Sequence, residues 1–228
     1  MKKVIILLVA LFAAVTLSNA QLYVSGGVGI HSDGGKYISG GDTKNFPSVL
    51  TLNISPQVGF FLSNDFLVGL EIDFARLSTK DPDDVNNKAS ATGFGIGPFV
   101  RARMLEAGGF GFWMEGAFQF GVVNAKFTSG GDTRNADKYT GIGLHAMPVL
   151  SYDFSSSLSV ELSCDFLRLY FDSGTWTDAD DVNNKIKNNS FGLGLNHSTA
   201  VEGVRNHPDF YGVGSLSSPL TVSISFKF

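Results

Sequence analysis

Apolar and polar residues alternate with a period of two along most of the chain. The pattern is plain in Leu50, Leu52, Ile54, Pro56, Val58, Phe60 and Leu62, with Thr51, Asn53, Ser55, Gln57 and Gly59 between them. It recurs over residues 66–74, 94–104, 112–122, 142–154 and 158–166. Successive side chains of a strand point to opposite faces, so this period predicts half-buried β-strands. A first strand carries Leu22, Val24, Gly26, Val28 and Ile30, and a last one carries Leu220, Val222, Ile224, Phe226 and Phe228. Together they predict an all-β chain of eight antiparallel strands, connected up and down. Residues 191–198 (FGLGLNHS) could be read as a ninth strand. One proline per even-numbered strand (Pro56, Pro98, Pro148, Pro219) argues instead for a last strand from about 211 to 228. Residues 191–198 then belong to a long loop, as an extension hairpin. Proline lacks the ladder donor, so each is expected at a bulge or an unpaired register.

Alternation alone does not say which face is apolar. The connections do. Those at 63–65, around Gly108 and at 155–157 are tight, whereas those near 31–48, 78–90, 128–138 and 172–210 are long and rich in Gly, Asn and Asp. Short turns at one end and long loops at the other are the habit of membrane-spanning barrels. Aromatic residues gather at two levels, with Phe60, Phe66, Phe112, Tyr152, Phe154, Phe226 and Phe228 at one. Phe74, Phe94, Phe127, Tyr139 and Tyr170 form the other. Such bands suit the two membrane–water interfaces. With 27 glycines, 20 phenylalanines and only 17% charged residues, the expected fold is an eight-stranded transmembrane β-barrel, apolar outside, rather than a lipocalin-like barrel.

The first twenty residues, MKKVIILLVALFAAVTLSNA, have a basic start, an apolar run and small residues before a cut after Ala20. They predict a signal peptide over 1–20 and a barrel domain over 21–228. Cys164 is the only cysteine, which excludes an internal disulfide. A net charge of −4 gives no electrostatic case for nucleic acid.

Three phrases occur twice, in the same order. SGGDTKN (39–45) returns as SGGDTRN (129–135), DFARL (73–77) as DFLRL (165–169), and DPDDVNNK (81–88) as DADDVNNK (178–185). Matching order at similar spacing predicts an internal duplication of four strands. The stretch ISPQVGFFLSNDFLVGLEIDF (54–74) resembles the P-x-x-G-Y-F-x-x-D-x-L-x-x-G hairpin of small outer-membrane β-barrel proteins, the OmpA/OmpX-like group often labelled porin family. Phe228, ending an alternating strand, resembles that group's C-terminal insertion signal. The likeness covers the whole of 21–228. It implies the outer membrane of a Gram-negative cell, with lipopolysaccharide and the barrel-assembly machinery as partners. It implies no substrate.

By parity, Glu71, Asp73, Arg101, Arg103, Glu115, His145, Asp153, Glu161 and Asp165 face inward. A turn centred on Gly108 sets Arg101 opposite Glu115 as an interior ion pair. These residues suit either a polar channel or an interior filled by ion pairs. A lipid-modifying hydrolase would need Ser and His on the lipid side. His145 points inward, while His31, His197 and His207 lie in loops, so no catalytic residue is assigned and no enzymatic activity is expected. No cofactor is expected either. The loop acids Asp81, Asp83, Asp84, Asp178, Asp180 and Asp181 offer oxygen ligands but lack the turn glycine and final glutamate of an EF-hand, so they read as solvated tips and no metal site is assigned. Arg76 and Arg168 occupy equivalent places in the two DF-x-R-L copies and face lipid by parity, at headgroup depth. They suit a lipopolysaccharide contact or simple snorkelling. The functional expectation is a structural or surface-interaction role through the external loops and an unknown external ligand. The alternatives are a small-solute pore and, less favoured, a lipid-modifying enzyme.

Overall fold

The computed structural model describes residues 21–39, 42–45, 48–80, 86–178, 181–193 and 220–228. Residues 1–20, where a signal peptide is expected, and Asp81, Asp83, Asp84, Asp180, His197, His207 and Pro219 lie outside the described residues. Twelve strands are present among those described: β1 (Gln21–Asp33), β2 (Lys36–Ser39), β3 (Asp42–Asn45), β4 (Ser48–Ser63), β5 (Phe66–Lys80) and β6 (Lys88–Ala107), followed by β7 (Phe110–Ser129), β8 (Asp132–Asp153), β9 (Leu158–Ser163), β10 (Leu169–Thr177), β11 (Lys185–Leu193) and β12 (Thr221–Lys227). Ten form one antiparallel sheet in the order β11-β10-β8-β7-β6-β5-β4-β1-β12-β9, and β2 and β3 make a separate hairpin.

The two faces of the sheet carry opposite chemistry. Along β6, Ala89, Ala91, Gly93, Gly95, Gly97, Phe99 and Arg101 are buried, while Phe94, Ile96, Pro98 and Val100 are exposed. Elsewhere the outer face shows Val28, Leu50, Ile54, Phe74, Phe120, Leu144 and Ile224, whereas Ser25, Thr51, Gln57, Glu71, Glu115, His145, Glu161 and Ser225 are buried. Apolar outside and polar inside is the reverse of a water-facing domain, and it is what hydrocarbon selects. Tight turns at Asn64-Asp65 and Gly108-Gly109 join the strands at one end. At the other end the hairpins are long, and β7–β8 closes on Gly130 and Gly131, both with positive φ, which only glycine adopts cheaply.

The expected eight-stranded closed barrel with a four-strand repeat is not what forms. The seventh strand of the sequence pattern breaks after Ser163: Asp165–Leu167 make one turn of 3-10 helix, and the chain resumes as β10. Below the break β9 pairs with β8 and β12. Above it β10 pairs with β8 and then with β11. Among the described residues β11 has no second partner, β12 begins only at Thr221, and the β1 segment above Val28 pairs with β4 alone. The ring is therefore not closed over its height. Residues 191–193 lie in the β11 arm of the added hairpin.

The cause of the break is legible in the ladder. On the β9/β10 side, pairing with β8 stops at Val149–Ser163 and resumes at Ala146–Leu169, so Met147 and Pro148 stand opposite residues 164–168. Pro148 has no N–H to donate there. Cys164 N–H reaches Pro148 O at 3.0 Å, and the chain then coils. Pro56 and Pro98 produce milder lapses, with no pairing between β4 and β5 at residues 55–56 or between β6 and β7 at residues 97–98. The repeated phrases consequently diverge. SGGDTKN and SGGDTRN build hairpins of identical register, Lys36–Asn45 matching Lys126–Asn135. DFARL is continuous strand, but DFLRL runs through the 3-10 turn.

Candidate functional site: a buried ion network under a cavity

Arg101 on β6 pairs in register with Glu115 on β7, because a bulge at Met104 shifts by one residue the register set by the two-residue Gly108-Gly109 turn. Its Nε donates to Glu115 Oε2 at 2.6 Å. Nη1 donates to Glu161 Oε2 at 2.7 Å and to Tyr23 Oη at 2.8 Å, and Nη2 donates to Gln57 Oε1 at 2.8 Å. The guanidinium also lies 5.5 Å from the Tyr23 and Phe99 ring centroids. One side chain thus ties together β1, β4, β6, β7 and β9. Glu71 on β5 joins through amides. Gln57 Nε2 donates to Glu71 Oε2 at 2.6 Å, and Gln119 Nε2 donates to Glu71 Oε1 at 2.7 Å. Gln119 also bonds Asp73, which accepts from Ser55 Oγ at 2.5 Å.

Above this layer lies a cavity of about 170 Å³ whose wall includes Glu71, Asp73, Gly95, Gly121, His145 and Arg168. It exists because glycines occupy inward positions on β6 and β7, where larger side chains would fill the space. Arg168 Nη2 lies 2.7 Å from His145 Nδ1, and Nη1 lies 3.5 Å from Asp165 Oδ1. Asp165 in turn accepts from Thr221 Oγ1 at 3.4 Å. Both ends of the interior are packed. Tyr23, Leu67, Phe99 and Ala117 cluster with Phe61 below. Val49, Leu77, Ala91, Val123, Tyr139 and Trp176, contributed by six strands, form an apolar layer above.

Arg76 is exposed on the outer face, paired with Leu52 and Thr92. Arg168 does not share that face. The 3-10 turn rotates it inward onto His145, so the two arginines of the repeat are not equivalent. Tyr139 likewise leaves the expected aromatic band and packs inside against Trp176, with ring centroids 5.1 Å apart. Phe228 caps the sheet by exchanging backbone hydrogen bonds with Leu22 at 2.9 and 3.0 Å. Of the interior charges, Glu71, Arg101, Glu115, His145, Glu161 and Asp165 are buried, while Asp73, Arg103 and Asp153 are half-buried. In the described part of the second acidic loop, Asp178 and Asp181 accept from the loop's own groups: Asn184 Nδ2 to Asp178 Oδ2 at 3.1 Å, and Asn183 N to Asp181 Oδ1 at 2.9 Å. Sequence reasoning overlooked Gln57, Gln119 and Tyr23. Inward parity marks all three, and Gln57 stands opposite Glu71 in the ladder.

No protein-family model matches the chain, and no curated protein sequence does. Among solved structures, Neisserial surface protein A is 12% identical with a TM-score of 0.39, covering 91% of this chain and 97% of its own. The attachment invasion locus protein Ail of Yersinia pestis is 14% identical at a TM-score of 0.41, over 92% of this chain and all of its own (100%). The chain resembles small outer-membrane β-barrel proteins. The outer membrane protein OprG of Pseudomonas aeruginosa adds a further likeness, 9% identical with a TM-score of 0.44, over 92% and 96% of the two chains.

Proposed function

We propose that this chain is an integral outer-membrane protein with a structural or surface-interaction role, exercised through its long hairpins and loops and not through an open pore. The observation that carries this reading is the Arg101 cross-tie. It joins side chains from five strands at hydrogen-bond distance between two packed apolar layers. A passage for solutes would need that network to part, and each buried charge-assisted bond resists this. The apolar outer face supports immersion in hydrocarbon. The hairpins β2–β3, β7–β8 and β10–β11 rise at one end and offer polar surface to an external ligand. Arg76, on the outer face, suits a phosphate of lipopolysaccharide, and Phe228 suits recognition by the barrel-assembly machinery.

The deciding experiment is single-channel recording of the purified protein in planar bilayers. No conductance steps above the protein-free membrane are expected. Reproducible steps would replace this reading with a small-solute pore.

A further inference from the structure

Glu71, Glu115 and His145 come from β5, β7 and β8, and each offers a ligand atom within 4.8 Å of the other two. All three are buried. Glu115 Oε1 and His145 Nε2 have no hydrogen-bond partner among the described residues and stand 3.8 Å apart. The remaining oxygens are already held. Arg101 fixes Glu115 Oε2, while Gln57 and Gln119 fix the two oxygens of Glu71. Second partners of this kind orient metal ligands. The charge balance points the same way. Among the described residues, Glu71, Glu115, Glu161 and Asp165 are buried and face the buried guanidinium of Arg101 and the half-buried one of Arg168, and an excess of carboxylates away from water calls for positive charge.

We propose that Glu71, Glu115 and His145 form a binding site for a divalent first-row transition ion, with zinc as its representative. One imidazole nitrogen and two carboxylates suit such ions better than Ca²⁺ or Mg²⁺, which take oxygen ligands throughout. Metal–ligand bonds of about 2.0–2.2 Å set the ligand atoms about 3.4 Å apart. Glu115 and His145 are nearly there, and Glu71 must close on them. The adjoining cavity has room for a water as fourth ligand.

Arg168 controls access to the site. A guanidinium only donates, so Nδ1 of His145 accepts from Arg168, and the imidazole proton sits on Nε2. Metal binding requires the opposite tautomer. The ring proton moves from Nε2 to Nδ1, the ion takes Nε2, and Arg168 must turn away. Asp165, 3.5 Å from Arg168 Nη1, is the acceptor ready to take it. Arg168 therefore opposes the ion, and its removal favours binding.

The test is to refold the full chain into detergent micelles with and without zinc, desalt it, and count zinc per folded chain by mass spectrometry. Stoichiometric zinc is expected in the wild type, with loss in His145→Gln and Glu71→Gln. Arg168→Gln should bind at least tenfold more tightly, because a glutamine carbonyl can accept from Nδ1–H. Folding is checked by heat-dependent gel mobility. Should a ligand variant fail to fold, X-ray absorption on the zinc-loaded wild type must show one imidazole with oxygen donors. Trace zinc in the wild type, equal zinc in folded His145→Gln, unchanged affinity in Arg168→Gln or an all-oxygen shell would each overturn the site.

Discussion

Replacing Arg101 with methionine keeps the length of the side chain and removes its charge. The residue is 3% exposed, and its guanidinium serves two carboxylates, Glu115 and Glu161, at 2.6 and 2.7 Å. Taking away one member of a buried pair costs about 3–5 kcal/mol, chiefly because the other charge stays buried without compensation. Here two carboxylates are stranded, and the lost bonds to Tyr23 and Gln57 add to the penalty, so the upper part of that range is expected. With a urea slope of about 2 kcal/mol/M, the unfolding midpoint in detergent micelles or vesicles should fall by about 2 M. Arg103→Met is the matched control. Its partners Asp65 and Glu106 have side chains 71% and 54% exposed, and ion pairs so open to water contribute about 0–1 kcal/mol each. The double variant Arg101→Met/Glu115→Gln should lose less than the sum of the single losses, since the two side chains touch. A midpoint for Arg101→Met within about 0.5 M of the wild type, or a loss no larger than that of Arg103→Met, would refute the cross-tie as the centre of stability.

Two further outcomes are expected. Arg76→Gln should leave heat-dependent gel mobility unchanged while lowering the lipopolysaccharide that co-purifies, and Arg76→Lys should restore part of it, since lysine lacks the bidentate fork; equal lipid in all three proteins would leave snorkelling as the role of Arg76. An epitope inserted at Ser156 should stay closed to antibody on intact cells and become reachable after the outer membrane is opened, whereas labelling of intact cells would reverse the orientation.

How much could be read in advance depended on range. Strand positions and the inward parity of Glu71, Arg101, Glu115, His145 and Glu161 follow from a period of two and tight turns, both local properties. The expected opposition of Arg101 and Glu115 forms through a two-residue turn at Gly108-Gly109 together with a bulge at Met104, which the alternating pattern does not show. The 3-10 turn at Asp165–Leu167 could not be read that way. It arises because Pro148, on a neighbouring strand, withholds a donor from residues 164–168, and which residues Pro148 faces is a matter of pairing across the sheet. The resulting rotation carried Arg168 from its expected outward place to His145, and with it went the symmetry of the two DF-x-R-L copies. Trp176 was invisible for a related reason. Its inward position depends on β10 restarting in a new register, which also set Tyr139 beside it.

That restart has a mechanical consequence. Two residues of β8 face five on the other side of the joint, so the surplus chain is absorbed at one place and not distributed along the ladder. Strand stagger below Ser163 is set by β9, β12 and β8, and stagger above Leu169 is set separately by β10. Length changes in the β10–β11 hairpin are therefore taken up above the joint, with the shear of the lower strands unaltered. The 3-10 turn works as an expansion joint, and it leaves the β10–β11 arm free to vary in length and sequence while the Arg101 layer keeps its geometry.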